Sequence, residues 1–324
     1  MPRLKVETDA IKNFYDTRYE GEYMREHKGL DLYRVKSALS EIPVAVTNVL
    51  DYGCGQGGWT AMLAEKFPQA ELCGIDISAR AIALAAKRHA GQEFSVFDGE
   101  KAPMPDASFD FIYSYHVLEH VADLEKTISD ISRLLKKNGY LCAILPCANK
   151  DSFEERITRL VRNGKEPSID SRERFFYDDV SHIRRLNNDE LIRLFAANGI
   201  KIHKELYAYQ FWGAIKWISK SGPAVICQIF NYKMGVNLLA KMKLLALRLA
   251  FLLLAIPMRL YMADLEAKIR SDVGIIRKIF LFALMPFKIL ALPIGGAVDI
   301  LALIEWRFRR TRKNGSAQYL IFRK

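Results

Sequence analysis

Short apolar runs alternate with longer amphipathic stretches through the first half of the chain. Residues 46–50, 71–75, 93–97, 109–113 and 140–145 are apolar and rich in β-branched and aromatic side chains, and each is expected to be a strand. Residues 59–66, 79–89 and 123–135 carry apolar positions at helical spacing. Ser78 is placed to cap the second of these helices. The run Lys136-Lys137-Asn138-Gly139 reads as the stop of the third. Strands separated by helices of this length imply a parallel sheet in a doubly wound α/β domain. Further on, residues 188–198 predict a helix that ends at Gly199, residues 200–209 alternate like a strand, and residues 318–322 form a closing strand.

The flanks of this pattern differ in character. Residues 12–25 place Phe14, Tyr15, Tyr19 and Tyr23 at helix-like spacing, and residues 30–39 suggest a second helix. Such a segment either caps a ligand site or packs on the sheet. Residues 148–185 are polar and irregular, as in an inserted loop or lid. Residues 211–306 are apolar and basic. The expected division is therefore an N-terminal helical cap at 1–45, a cofactor-binding domain at 46–210, a helical insertion at 211–306, and a strand returning to the sheet within 307–324.

Composition narrows the partners. The chain has 324 residues, half of them hydrophobic, with a formal net charge of +11. A basic excess suits nucleic acid or an anionic membrane surface. Here the charge flanks apolar segments: Lys241, Lys243, Arg248 and Arg259 around residues 244–258, and Arg277, Lys278, Arg307, Arg309, Arg310, Arg312 and Lys313 around residues 279–298. A spanning helix needs about 20 apolar residues. The first run is too short unless Arg248 enters the bilayer, and the second carries Lys288 near its middle. Both fit peripheral or re-entrant helices in the interface better than a spanning hairpin, with a buried helical subdomain or dimer interface as the alternative. No nucleic-acid partner is expected. Five cysteines without metal-ligand spacing read as reduced thiols in a cytoplasmic setting. The polar N-terminus lacks the apolar core of a secretory signal. The expected location is the cytoplasmic face of a membrane.

The chemistry begins at Asp51-Tyr52-Gly53-Cys54-Gly55-Gln56-Gly57-Gly58, between the first strand and the first helix. Strand, glycine turn and helix form the opening unit of a nucleotide-binding domain. Gly53, Gly55 and Gly57 leave room for a ligand to approach the backbone. Asp76, at the end of the second strand, is placed to take two hydrogen bonds from a ribose diol. A nicotinamide oxidoreductase also uses such a turn; its pyrophosphate needs G-x-G-x-x-G, and this chain reads G-x-G-x-G-G, with one glycine more.

Four pieces in order carry a closer likeness: residues 49–57; Gly74-Ile75-Asp76-Ile77-Ser78; residues 103–112, from Pro103-Met104-Pro105 to Phe109-Asp110-Phe111-Ile112; and Val117-Leu118-Glu119-His120-Val121. With the weaker residues 134–141 they resemble class I S-adenosylmethionine-dependent methyltransferases of the type 11, small-molecule group. That resemblance implies a Rossmann-like seven-stranded sheet with its last strand antiparallel, S-adenosyl-L-methionine as cofactor, and a small-molecule or lipid-linked acceptor. It implies cofactor contacts at Asp51, Gly53, Gly55, Gly57, Asp76, Ile77, Asp98, Gly99 and Tyr115, with Asp98 placed for the adenine amine.

His116, Glu119 and His120 follow the fourth strand, where ligands bind in open α/β sheets. His120 is the leading candidate base or orienting residue, with His116, Glu119 and His182 as further catalytic candidates. Some relatives (ubiquinone-pathway and small-RNA 2′-O types) place Glu-x-x-Glu-His and a distant His here for a divalent cation. This chain has His116 in the first position, and His182 can serve as the distant one, so the metal stays open. The expected activity is O-methylation of a lipid-linked, glycan or quinone-type metabolite. The alternatives are a nicotinamide-dependent oxidoreductase and a non-catalytic, membrane-bound scaffold. The oligomeric state is not determined by the sequence.

Overall fold

A computed structural model describes residues 8–20, 29–42, 45–147, 149–162, 182–184, 186–270 and 274–324. In chain order the elements begin with α1 (Thr8–Arg18), α2 (Gly29–Leu39), β1 (Asn48–Tyr52), α3 (Gly58–Lys66), β2 (Glu71–Asp76), α4 (Ala79–Arg88), β3 (Glu93–Val96), β4 (Phe109–Tyr115), α5 (Leu124–Leu134) and β5 (Leu135–Pro146). They continue with α6 (Phe153–Arg162), α7 (Asn188–Ala197), β6 (Lys201–Ala208), α8 (Trp212–Lys220), α9 (Pro223–Ile229), α10 (Leu238–Met262), α11 (Leu265–Arg270), α12 (Ile275–Ala283), α13 (Met285–Arg309) and β7 (Ala317–Arg323). The chain divides into two compact units.

The first unit comprises residues 1–149, 179–207 and 317–324. Its seven-stranded sheet runs β3-β2-β1-β4-β5-β7-β6. β1 pairs in parallel with β2 on one side and β4 on the other, and β7 pairs antiparallel with β5. The doubly wound sheet with an antiparallel last strand is the expected one. The strand order reverses between β1 and β4, so the loops beyond their carboxyl ends open a crevice there. Apolar side chains of β1, β4, β5 and β7 meet those of α5 and α7 in one core, including Leu50, Ile112, Ile128, Leu141, Phe195 and Phe322. Ser78 caps α4 as expected, accepting from the Ala81 N–H at 3.1 Å. Asp123 and Asn187 cap α5 and α7 in the same way.

One local expectation fails. Lys136-Lys137-Asn138-Gly139 is not a loop between helix and strand; it lies inside β5, which starts at Leu135. Asn138 takes the left-handed conformation (φ 65°), so the chain turns without leaving the sheet. Lys136 bridges to Asp110 Oδ2 at 3.0 Å and Asn48 Oδ1 at 2.9 Å, which anchors this end of β5 to β4 and β1. The segment expected to be irregular also contains a helix, α6; residues 148, 163–181 and 185 of it lie outside the described residues, as does Tyr23.

The second unit comprises residues 150–178 and 208–316. It is helical. Ile157 and Val161 of α6, Ile218 of α8, Ile226 and Ile229 of α9, and Leu244 and Phe251 of α10 share a core. α13 turns a stripe of Ala291, Gly295, Val298, Ala302 and Trp306 inward. A Cβ at Gly295 would lie 2.1 Å from Tyr261 Cγ, so that ring seats α10 against α13. Glu305, only 4% exposed, accepts from three successive backbone N–H groups at the start of α8: Phe211 at 2.8 Å, Trp212 at 2.7 Å and Gly213 at 3.0 Å. A carboxylate at a helix N-terminus satisfies donors that have no partner within the helix.

Glu305→Ala removes the carboxylate partner of all three donors, one of them buried, and is expected to cost about 1.5–3 kcal/mol. The check is a lowered urea midpoint for the full chain; an unchanged midpoint would show that the cap contributes nothing.

Candidate active site

The glycine loop is built by backbone bonds before any ligand arrives. The N–H groups of Gly53 and Cys54 both donate to the Ile75 carbonyl, at 2.8 and 2.9 Å, which folds the loop back over β2. Gly53 and Gly55 hold φ values of 80° and 53°, a region costly for side-chain-bearing residues. A Cβ on Gly53 would stand 2.2 Å from Val117 Cγ2, and one on Gly55 2.6 Å from the Tyr19 hydroxyl.

Asp76 locks this loop. Its Oδ2 accepts from the Gly55 N–H at 2.8 Å and its Oδ1 from the Ser78 N–H at 2.9 Å. Burial raises its pKa against the lowering effect of those bonds. Asp51 is more deeply enclosed. Burial pushes its pKa up to about 7, opposed by the Thr60 hydroxyl, which donates to it at 2.6 Å.

A cleft opens over this loop, at the β1/β4 switch point. One wall is Gly53, Gly55, Asp76, Ile77, Phe97 and Gly99; the other is Tyr115, His116, Val117 and His120; Ile11, Tyr15 and Tyr19 close over it from the α1 segment. α1 is held by Asp16, which accepts from the Ser78 hydroxyl and, at 3.3 Å, from the Arg80 N–H. Trp59 packs on Tyr115 with ring centroids 4.8 Å apart, giving the floor an aromatic surface.

Beside the cleft, Glu119 is buried among imidazoles. His116 Nδ1 lies 2.9 Å from Glu119 Oε1, His120 Nε2 3.7 Å and His182 Nε2 3.9 Å. Burial acts to raise the Glu119 pKa, but His116 and the neighbouring His120 and His182 outweigh it and hold it down at about 2. Glu119 is therefore an anion at neutral pH. His116 sits in the left-handed region (φ 55°), where a non-glycine residue is strained. The His116 N–H donates to the Ile144 carbonyl at 2.8 Å, which helps to hold that conformation.

His182 reaches this cluster through a backbone strap. The Ile183 N–H donates to the Glu119 carbonyl at 3.2 Å. The Arg184 guanidinium donates to the carbonyls of Leu118, Val121 and Ala122, closing the 118–122 turn. His120 and His182 stand 4.8 Å apart by ring centroid, and Tyr15 presents an edge-on contact to His120 at 5.6 Å.

The sequence-predicted residues thus fall into three sets. Gly53, Gly55, Asp76, Ile77, Gly99, Tyr115, His116 and His120 line the cleft. Glu119 and His182 stand behind it, in contact with its imidazoles. Asp51, Gly57 and Asp98 are not part of the lining. Gly57 is a packing glycine: a Cβ there would meet His89, Phe94 and Ala85. Asp98 is exposed and turns onto its own loop, accepting from the Glu100 N–H at 2.9 Å. Sequence reasoning missed Trp59 and the role of Arg184. Trp59 follows the glycine turn directly, and an aromatic in that place was the available signal. Arg184 stands two residues after His182 and no spacing rule links it to residues 118–122.

His116, Glu119 and His182 bring their ligand atoms within 4.8 Å of one another, a donor set that fits a first-row divalent cation. The buried Asp76 carboxylate and the side-chain-free floor at Gly53 and Gly55 fit an adenosine-bearing cofactor.

Fold and cleft together define a doubly wound α/β protein that binds a nucleoside-type cofactor at its switch point. A family model described as a methyltransferase domain, Methyltransf_23, matches residues 23–205, and the chain belongs to that family of class I S-adenosylmethionine-dependent methyltransferases. S-Adenosylmethionine is the family's cofactor. The chain is 32% identical over 142 residues to the trans-aconitate 2-methyltransferase of Deinococcus radiodurans, covering 44% of this chain and 53% of the relative. It is 29% identical over 122 residues to the fatty-acid O-methyltransferase of Mycolicibacterium smegmatis, covering 36% and 44%. The chain spans about half the length of these curated relatives. The crystal structure of the [4+2]-cyclase SpnF shares the fold, with a TM-score of 0.53 at 16% identity over 100% of this chain and 99% of that one.

Asp76→Ala is expected to weaken S-adenosylhomocysteine binding by about 1.5–3 kcal/mol, whereas Asp98→Ala changes it little. Isothermal titration distinguishes them, and equal losses would return Asp98 to the site. A second expectation concerns pH. Asp51 ionises near 3.8 when unfolded but near 7 when folded, so the folded chain binds more protons between those values. Stability should therefore fall as pH rises from about 4 to 7 and level off above it. Asp51→Asn should flatten that slope in urea titrations.

Proposed function

We propose that this chain methylates an oxygen of a small or lipid-linked acceptor, of glycan or quinone type, at the cytoplasmic face of a membrane. The observation that carries the catalytic half is the imidazole–carboxylate cluster beside the cleft. The activities of relatives on trans-aconitate and fatty acids support an oxygen nucleophile on a small molecule. The apolar and basic second unit supports the membrane half.

S-Adenosylmethionine supplies, when bound, a methyl group already activated on a sulfonium. Asp76 would hold its ribose diol, and Ile77, Phe97 and Gly99, which line the same cleft, would hold its base. What remains is to position an acceptor and remove its proton. His116 is the better-placed base. Its Nδ1 faces the Glu119 anion, so Nδ1 carries the proton and Nε2 accepts one. Glu119 then stabilises the imidazolium that forms. His120 lines the same cleft and orients the acceptor, with His182 and Arg184 fixing the turn that bears it. The segment around Tyr15 and Tyr19 serves as the cap.

The clustering of His116, Glu119 and His182 supports a second reading, in which the three hold a divalent cation that lowers the pKa of an acceptor hydroxyl. A scaffold that binds cofactor without turnover is the non-catalytic alternative; the [4+2]-cyclase neighbour shows that the fold itself does not prescribe methyl transfer.

Labelled-methyl transfer into a membrane lipid extract is the primary test: a labelled product supports the enzyme, and cofactor binding without any labelled product supports the scaffold. With the acceptor in hand, His116→Asn and Glu119→Gln should each lower kcat by about 10²–10⁴-fold while cofactor affinity stays within a few-fold. His120→Ala should raise the acceptor KM more than it lowers kcat. Activity that survives a chelator supports the metal-free base; loss restored by a divalent cation supports the second reading.

A further inference from the structure

The outer surface of the helical unit is inverted relative to a water-soluble bundle. α12 exposes Ile276, Phe280 and Phe282, at 83%, 63% and 71%. α13 follows through the single residue Leu284, and its first turns expose Phe287, Ile289 and Leu290. A surface helix ordinarily turns polar residues outward. Here the outward side is apolar, well beyond the scattered apolar residues of a normal surface.

Charge decides what covers it. Residues 238–313 hold 14 Lys and Arg and 5 Asp and Glu, so 14 − 5 = +9 of the chain's +11 lies in this stretch. Two of the five acids are spent internally. Glu305 caps α8, and Asp299 takes the Lys216 ammonium at 2.8 Å and the Tyr261 hydroxyl at 3.1 Å. A second copy would bring the same positive excess against itself. An anionic lipid surface complements it, at about 1 kcal/mol per basic residue near the headgroups. Arg277, Lys278 and Lys288 lie on the elbow itself, where long stems let their charges reach the headgroups while apolar neighbours enter the acyl region.

α13 is long and apolar enough to cross a bilayer by length and composition. Its polar locks oppose that. Asp299 lies 14 residues past Met285, about 21 Å along the helix, and is tied to Lys216 of α8. Spanning would carry that ion pair and the Glu305 cap into hydrocarbon.

We propose that the α12–α13 elbow, residues 275–294, inserts into one leaflet of an anionic membrane and lies in its plane. This rests on the membrane half of the reading above and assigns it to one element and one lipid class.

The test is flotation of the full-length protein with vesicles of phosphatidylcholine alone or with phosphatidylglycerol. Binding should require the anionic lipid and fall with salt. Phe280→Glu with Leu290→Glu should reduce it at least tenfold, and the milder Arg277→Glu with Lys278→Glu should reduce it several-fold, with S-adenosylhomocysteine binding unchanged in both. Undiminished binding by the variants overturns the elbow while the membrane reading stands. No binding to any vesicle, or a stable dimer that ignores vesicles, overturns both. Equal binding to neutral vesicles overturns the choice of anionic lipid.

Discussion

A carboxylate buried at the end of a strand has little contact with water and must find donors in the protein. Asp76 finds them in the backbone of Gly55 and Ser78. Those two bonds hold the glycine loop against β2 and fix the start of α4. Ser78 in turn binds Asp16, so the helix over the cleft is registered by the same corner of the fold. The floor, one wall and the roof of the cleft thus depend on how one acid is satisfied. The arrangement also leaves Asp76 in the lining of the cleft, with its carboxylate already oriented.

The opposite wall uses the same logic with side chains. Glu119 is buried, and it stays anionic because imidazoles surround it. The cost of burying a charge is offset only where partners are held in place. β4 ends in a strained His116, the 118–122 turn is closed by Arg184, and the backbone of Ile183 ties the strap to Glu119. Residues more than 60 positions apart in sequence therefore set the surroundings of one buried carboxylate.

The helical unit follows a different rule. Its inner contacts combine an apolar core with small residues and paired polar groups, with Gly295 under Tyr261 and Asp299 against Lys216. Its outer face is left to apolar side chains ringed by cations. Such a surface is costly in water and favourable in an interface.

How much of this was legible beforehand depends on the range of the interaction. Strand and helix periods, the Ser78 cap, the glycine turn and the acid after β2 are local patterns, and a period-2 or period-3.6 repeat is written into neighbouring residues. That sufficed for the doubly wound sheet and for naming Asp76, which the fold brings to the lining of the cleft. The orientation of Asp98 was not legible, because whether a carboxylate faces a cleft or its own loop depends on a few ångströms of backbone path. Residues 136–139 misled for a related reason: charged and glycine residues signal a stop, but the pairing of Leu135 and Tyr140 with β4 on either side, and the backbone bonds of Asn138 and Gly139 to Lys324, kept them in the sheet. His182 could be named as a candidate from its motif. Its meeting with Glu119 had to await the fold, since only tertiary contact closes a gap of that length. The sequence by itself determined the elements, the cofactor corner and the positive, apolar character of the last third. Tertiary structure decided which imidazole meets the acid and which helix face is left without protein, because those depend on where distant segments come together.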